Sequence, residues 1–216
     1  KKFIKNYEDV NDPRVRESYG TVSSVTGIVV NTVLSISKIL AGILFNSISV
    51  LADGVNNLSD GASSVITLIG FKISGKPADK DHPFGHARME YLTGLTLGIA
   101  MLLVGVELIK SSYNKIINPE KTVFSIEMTA VLIISVFVKL WLSLFYNELG
   151  SKISSAAIKA AGADSRNDVV ATAVVLLSLF ISELTGYEVD GYTGILVALL
   201  ILYSGFEILK DILNPI

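Results

Sequence analysis

The sequence predicts an all-α membrane protein in which six transmembrane helices form one bundle. Half of the 216 residues are hydrophobic, only 18% are charged, and the mean hydropathy is +0.56. A soluble protein usually carries about 25% charged residues, so this composition is poorly suited to a soluble enzyme, a disulfide scaffold or a disordered regulator. The chain has no cysteine and therefore no thiolate metal site. Its net charge of −2 argues against a basic face for nucleic acid.

Six segments are long enough to span a membrane, since a helix needs about 20 mostly apolar residues to cross the hydrocarbon core. They cover 22–45, 48–73, 91–109, 126–146, 153–184 and 192–209, so the predicted transmembrane domain is 21–213. Asn46 and Ser47 almost join the first two spans, which are therefore expected to be antiparallel neighbours. The preceding residues 1–20 are polar and lack the apolar core of a signal peptide, which indicates a cytoplasmic N-terminal segment.

The basic residues predict that both termini lie in the cytoplasm. Twelve lysines and arginines fall in the tails, in the even-numbered connections or near the span ends beside them, and only Lys110, Lys115 and Lys121 fall in the odd-numbered connections. Cytoplasmic loops carry the excess of positive charge in membrane proteins. Three basic residues remain inside the spans, namely Lys38, Lys139 and Arg166.

Two spans contain pairs of polar side chains at helical spacing. Asn56 and Asp60 lie four residues apart in the second span, and Asp164 and Asp168 repeat this step in the fifth. Residues four apart share one face of a helix. A carboxylate in the middle of the bilayer costs about 2.5–3.5 kcal/mol, so these acids need a cation, water or one another. We predict that the four side chains close around one metal ion.

An alternative partner for these acids is a buried lysine or arginine. Lys38 and Lys139 could form ion pairs with them, whereas Arg166 lies two residues from each acid of the fifth span and points elsewhere on a helix. Asp53 lies near the same stripe of the second span. For Asp53, contact with a metal-binding side chain or the capping of a helix end is at least as well supported as direct metal binding.

The predicted ligands favour a hard divalent cation. All four donors are carboxylate or amide oxygens, with neither histidine nor cysteine among them. Zinc generally prefers nitrogen or sulfur, whereas oxygen donors suit Mn²⁺, Mg²⁺ or Ca²⁺. Manganese is the first choice, followed by iron(II), and zinc or cadmium are also compatible with the site.

A second group of metal-binding side chains follows the second span. The two histidines of the chain, His82 and His86, lie four residues apart, and Asp79 precedes His82 by three. These three residues are a possible second metal site at the membrane surface. A solvated loop or the start of a helix is the alternative, because Pro83 suits a turn or the first helical position.

The motifs LADGVNNLSD, HPFGHARMEY and AGADSRNDVV resemble those of the cation diffusion facilitator family, and the resemblance extends over essentially the whole chain. It implies a six-helix bundle in which the second and fifth spans supply one divalent-metal site, here Asn56, Asp60, Asp164 and Asp168. Zinc-transporting members usually have a histidine in one of these pairs. The combination in this chain is similar to the manganese branch.

The resemblance also implies an activity and partners. Members of the family are homodimers in the lipid bilayer that export metal from the cytoplasm, typically in exchange for protons, and they are transporters without a prosthetic group. Asp79, His82 and His86 match positions that bind a further ion in relatives. We expect a bacterial cell membrane as the location. Many members of the family continue after the sixth span into a cytosolic domain, which we expect to be absent from this chain.

The mechanism expected from this resemblance is alternating access, with protonation of the aspartates releasing the ion outside. Zn²⁺, Fe²⁺ or Cd²⁺ export by a protein of the same family is the nearest alternative. An intramembrane aspartyl hydrolase is a remote one, because each helix carries two polar ligands and Gly162-Ala163-Asp164 only partly matches a GxGD motif. A channel or a sensor that does not transport is a third.

Overall fold

The computed structural model describes residues 12–73 and 87–213, and within these ranges the chain forms six helices. They are α1 (Pro13–Leu44), α2 (Ile48–Ile73), α3 (Ala87–Ile117), α4 (Ile126–Lys152), α5 (Ala156–Thr185) and α6 (Asp190–Leu213). Each predicted span overlaps one helix, and α1 and α3 extend furthest beyond the predicted ends. The prediction of an all-α fold is confirmed, since no strand occurs in the described ranges.

The bundle has apolar side chains outside and many polar ones inside. Counting only described residues, α1, α4, α5 and α6 are long and apolar enough to cross a membrane. Large apolar side chains such as Val33, Phe137 and Phe206 are exposed on their outer faces, whereas Lys38 and Lys139 are fully buried. This distribution suits a bundle surrounded by lipid, because ionisable groups there face the interior.

Local sequence explains where several helices begin and end. The Asp12 side chain accepts a hydrogen bond from the Arg14 backbone nitrogen at 2.8 Å, and Pro13 is the first residue of α1. Ser125 and Ser155 cap α4 and α5 in the same way. Such N-caps satisfy backbone N–H groups that have no partner inside the helix. The helix α5 ends at Gly186, whose φ of 72° is a left-handed conformation typical of glycine.

The first two helices are the antiparallel neighbours that the short connection predicts. The chain turns at Asn46, which has a φ of 52°, and the Ser47 nitrogen donates to the Gly42 oxygen at 2.8 Å. Further along, a Cβ added at Gly54 would lie 2.8 Å from the backbone nitrogen of Ile39. Glycine therefore permits the close approach of α1 and α2.

Asp190 ties three helices together at the end of the bundle where α2 begins. Its carboxylate accepts hydrogen bonds from Ser47 Oγ at 2.6 Å, the Ile48 nitrogen at 2.7 Å and Lys115 Nζ at 2.9 Å. The first residue of α6 thus supplies the negative charge that stabilises the N-terminus of α2. Lys115, in the last turn of α3, connects that helix to the Asp190 carboxylate.

Two apolar clusters lie at opposite ends of the bundle. One, where α2 and α4 begin, includes Val50, Met128, Leu132, Val175 and Ile201. The other, where α1 and α5 begin, includes Val15, Tyr19, Leu149, Ile153 and Ile158. The polar residues in the middle of α1, α2, α4 and α5 therefore lie between two apolar layers.

Candidate metal centre

Polar side chains of α2 and α5 meet in the middle of the bundle. Asn56 and Asp60 lie about one turn apart on α2, and Asp164 and Asp168 lie about one turn apart on α5. Asn56 Nδ2 donates a hydrogen bond to Asp168 Oδ1 at 2.8 Å. This bond joins the two helices directly, at the level of the predicted metal ligands.

A third helix contributes a positive charge to this point. Lys139 of α4 places its Nζ 2.8 Å from Asp60 Oδ2 and 2.6 Å from Asp168 Oδ2. The side chain of Lys139 is 1% exposed and that of Asp168 is 8% exposed, whereas that of Asp60 is 25% exposed. For these two aspartates, the structure contains the buried ion pair that the sequence left as the alternative to a metal site.

Asp60 also lines a cavity of about 230 Å³ that extends away from the lysine. Asp164 lines the same cavity, is itself exposed, and makes no hydrogen bond or ion pair with any residue in the described ranges. The remaining lining consists of small and polar side chains and one tyrosine: Asn31, Ser63, Ser64, Thr67, Tyr146, Ala157, Ala160, Ala161 and Ser165. These residues place the cavity between the middle of the bundle and the end at which α2 finishes and α5 begins.

The four predicted ligands do not form a closed cage in this conformation. In the ranges 12–73 and 87–213, no three Asp, Glu or His side chains stand close enough together to hold a metal ion. Two of the predicted residues, Asp60 and Asp168, hold the Lys139 ammonium, Asn56 donates to Asp168, and Asp164 lies on the cavity wall. To bind a metal, Asp164 must approach and the Asn56 amide must present its oxygen in place of its nitrogen.

The model of the cation efflux transmembrane domain matches residues 24–214. The chain belongs to the cation efflux family. This family domain and the long apolar helices make it an integral membrane protein.

Three relatives illustrate the range of the family. An uncharacterized transporter of Methanocaldococcus jannaschii is 35% identical over 184 residues, which cover 85% of this chain and 65% of the relative. The manganese efflux system protein MneS of Bacillus subtilis is 31% identical over 194 residues, covering 89% and 66%. A cadmium, cobalt and zinc/H(+)-K(+) antiporter of the same bacterium is 28% identical over 177 residues, covering 82% and 57%. The matches thus span less than two thirds of the length of each of these relatives.

The cation efflux domain of this chain contains a second buried lysine cluster. Lys38 Nζ of α1 lies 2.7 Å from Asp53 Oδ2 and donates to Thr172 Oγ1 at 3.0 Å. The Thr172 hydroxyl in turn donates to Asp53 Oδ2 at 2.9 Å. Both charged side chains are 0% exposed. Asp53 therefore belongs to an ion pair of its own and, in the interior of α2, is not a helix cap.

Two other sequence predictions have different outcomes. Arg166 is exposed and forms no ion pair with the acids of the described helices, as its position two residues from each acid predicts. Asp79, His82 and His86 lie outside the described residues, so the second metal site stays a prediction.

Sequence reasoning missed Thr172, Tyr146 and Asn31 as neighbours of the polar centre. Thr172 continues the four-residue step of Asp164 and Asp168 along α5, a pattern that could have identified it. Tyr146 and Asn31 lie on α4 and α1. No motif in the sequence places those helices against the cavity.

Proposed function

We propose that the chain is the membrane domain of a divalent cation exporter and that Asn56, Asp60, Asp164 and Asp168 bind the transported ion. Membership of the cation efflux family supports this function. Because the chain matches less than two thirds of the length of the relatives described above, the activity of the whole protein is part of the proposal.

The proposal is supported above all by a buried lysine ammonium that pairs with an aspartate at the inner end of a polar cavity. Asp60 and Asp168 hold the ammonium of Lys139 in the middle of the bundle, and Asn56 donates to Asp168. Asp60 also reaches the cavity wall that Asp164 shares. An ion entering the cavity would meet two carboxylates directly. A third carboxylate lies one helical turn further along α5. Oxygen ligands on two helices can then replace part of its hydration shell.

Manganese is the ion we favour. The four oxygen donors suit Mn²⁺ better than Zn²⁺, and the relative named for manganese efflux supports this choice. The relative named as a cadmium, cobalt and zinc antiporter supports the alternative of a zinc or cadmium exporter in the same family. Iron(II) also suits oxygen ligands.

Transport is proposed to proceed by alternating access in exchange for protons. If both termini are cytoplasmic, as the basic residues predict, the cavity faces the cytoplasm, because it extends toward the end at which α1 begins and α2 finishes. The apolar cluster around Val50 and Leu132, together with the Lys38 pair, lies on the opposite side of the site. Protonation of the site aspartates would weaken ion binding after the site has turned outward. A homodimer is the proposed assembly.

An aspartyl hydrolase is less compatible with the site. Catalysis of that kind needs one protonated and one ionised carboxyl group positioned around a water molecule. Here the Lys139 ammonium lies between Asp60 and Asp168 and pairs with both. Family membership also favours a transporter.

Metal flux into proteoliposomes tests the proposed function. We expect Mn²⁺ uptake by the wild-type protein that depends on a proton gradient, and uptake at the level of empty liposomes for Asp168→Ala. Glu127→Gln, at an exposed position near the start of α4, is the matched control and should keep wild-type flux. Wild-type flux from Asp168→Ala would contradict the proposed site, and faster zinc than manganese flux would contradict the preferred ion.

A further inference from the structure

Lys139 occupies the place that a metal ion would take between two of the proposed ligands. Its Nζ lies 2.8 Å from Asp60 and 2.6 Å from Asp168, and no other described cation lies within ion-pair distance of either carboxylate. A tethered ammonium and a divalent ion cannot both hold the same carboxylate oxygens. Because Asn56 Nδ2 already occupies the other oxygen of Asp168, an ion that binds between the two aspartates competes with the ammonium for their oxygens.

We propose that Lys139 is a built-in competitor for the transported cation, which lowers the affinity of the site for the ion and thereby speeds its release. This inference rests on the proposed function and concerns a residue that the four-ligand prediction left out. The lysine keeps its charge and changes only its position. It leaves the carboxylate oxygens when the ion arrives and returns to them when the ion departs.

The formal charges of the site support this role. Asp60, Asp164 and Asp168 carry three negative charges and Lys139 carries one positive charge, which gives −2. A bound divalent cation then makes the loaded site neutral, provided that the displaced ammonium stays nearby. Without the lysine, the loaded site would keep one negative charge and the empty site three. Because charge interactions are strong where water is scarce, the lysine limits the change in electrostatic energy between the two states.

The space around the site allows this movement. The Lys139 side chain is 1% exposed and does not line the cavity of about 230 Å³, but its partner Asp60 does, so one carboxylate of the pair lies beside open volume. A lysine side chain has four flexible methylene groups and can swing while its backbone stays fixed. Lys38 lacks this freedom, because its cluster is 0% exposed and contributes no residue to the cavity lining.

Replacement of Lys139 in two opposite ways tests the competitor role. Lys139→Met removes the charge but keeps most of the volume, so we expect the Kd for Mn²⁺ to fall at least about tenfold. Lys139→Arg keeps the charge, and its guanidinium can donate hydrogen bonds to both carboxylates at once, so the Kd for Mn²⁺ should rise. Calorimetric titration of the purified protein with Mn²⁺ measures both, and stopped-flow release should be slower for Lys139→Met. A lysine with a purely structural role would weaken binding in both variants.

The control is Lys38→Met, which removes an equally buried lysine outside the site. It should lower thermal stability and leave the Kd for Mn²⁺ at the wild-type value. A folded Lys139→Met protein with an unchanged or higher Kd overturns the inference alone. If Lys139→Met cannot be purified, an unchanged Kd in Lys139→Arg overturns it. Wild-type protein that binds no divalent metal would instead overturn the proposed function, and this inference with it.

Discussion

Two buried lysine side chains lie in the middle of the bundle, and their surroundings differ in charge and in access to water. Lys38 pairs with one aspartate, Asp53, and both side chains are 0% exposed. Lys139 pairs with two, Asp60 and Asp168, and Asp60 is 25% exposed beside the cavity. In each cluster, a lysine of α1 or α4 lies between side chains of α2 and α5.

The difference shows how one arrangement can serve structure or binding. The Lys38 cluster has one positive and one negative charge and is neutral, so it has no charge left for a ligand. The Lys139 cluster keeps a net negative charge and has an open side. Buried ion pairs are weak evidence for stability in general, but a surplus of carboxylates beside a cavity is a reason to expect a cation.

The largest expected effect on stability comes from breaking the neutral pair. Lys38→Met leaves the Asp53 carboxylate buried without a charged partner, and we expect a loss of about 3–5 kcal/mol in the free energy of unfolding. Chemical unfolding in detergent measures it, with and without Mn²⁺. Added Mn²⁺ should not increase the free energy of unfolding of the Lys38→Met protein more than it increases that of the wild type.

Lys110→Met is the control, because the Lys110–Glu107 pair is exposed and its lysine side chain is 69% accessible. Its effect should stay within about 0.5 kcal/mol. A loss of stability in Lys38→Met as small as that of the control would show that the buried Lys38–Asp53 pair contributes nothing to stability. The contrast between Lys38 and Lys139 would then fail.

A smaller net change is expected when both members of the neutral pair are replaced. Lys38→Met combined with Asp53→Leu removes both charges, so most of the single-variant loss should be recovered, with a coupling energy of about 2 kcal/mol or more. Unfolding of the two single variants and the double variant measures this coupling. Additive losses would mean that Lys38 and Asp53 are stabilised by other neighbours.

The smallest effect on stability is expected at the cavity wall. Asp164 is exposed and has no hydrogen-bonding or ion-pair partner in the described part of the chain, so Asp164→Asn should change the free energy of unfolding by no more than about 0.5 kcal/mol. Its affinity for Mn²⁺ should nevertheless fall, because a negative charge is lost from the proposed site.

Unfolding and Mn²⁺ titration of the same Asp164→Asn preparation test both parts of this prediction. Ser37→Ala, at a polar position of α1 that is absent from the cavity lining, is its control. Wild-type Mn²⁺ affinity in Asp164→Asn would remove this residue from the ligand set.

The sequence by itself predicted the six helices and the meeting of α2 with α5. The helices follow from local patterns, because the length of an apolar segment sets a span. The short connection at Asn46 and Ser47 likewise predicted the antiparallel pairing of α1 and α2. A four-residue step places Asn56 with Asp60, and Asp164 with Asp168, on one face of each helix. The meeting of these two faces was inferred from the cost of an unpaired carboxylate in the bilayer.

Only the tertiary structure determined which lysine pairs with which aspartate. The sequence offered Lys38 and Lys139 as partners for any of the acids, and only the placement of α1 and α4 assigns one to Asp53 and the other to Asp60 and Asp168. The same holds for Asp190, which stabilises the start of α2 although it lies 142 positions after its bonding partner Ile48 in the chain. Helical periodicity fixes the face on which a side chain lies, but the partner across that face depends on how distant helices pack.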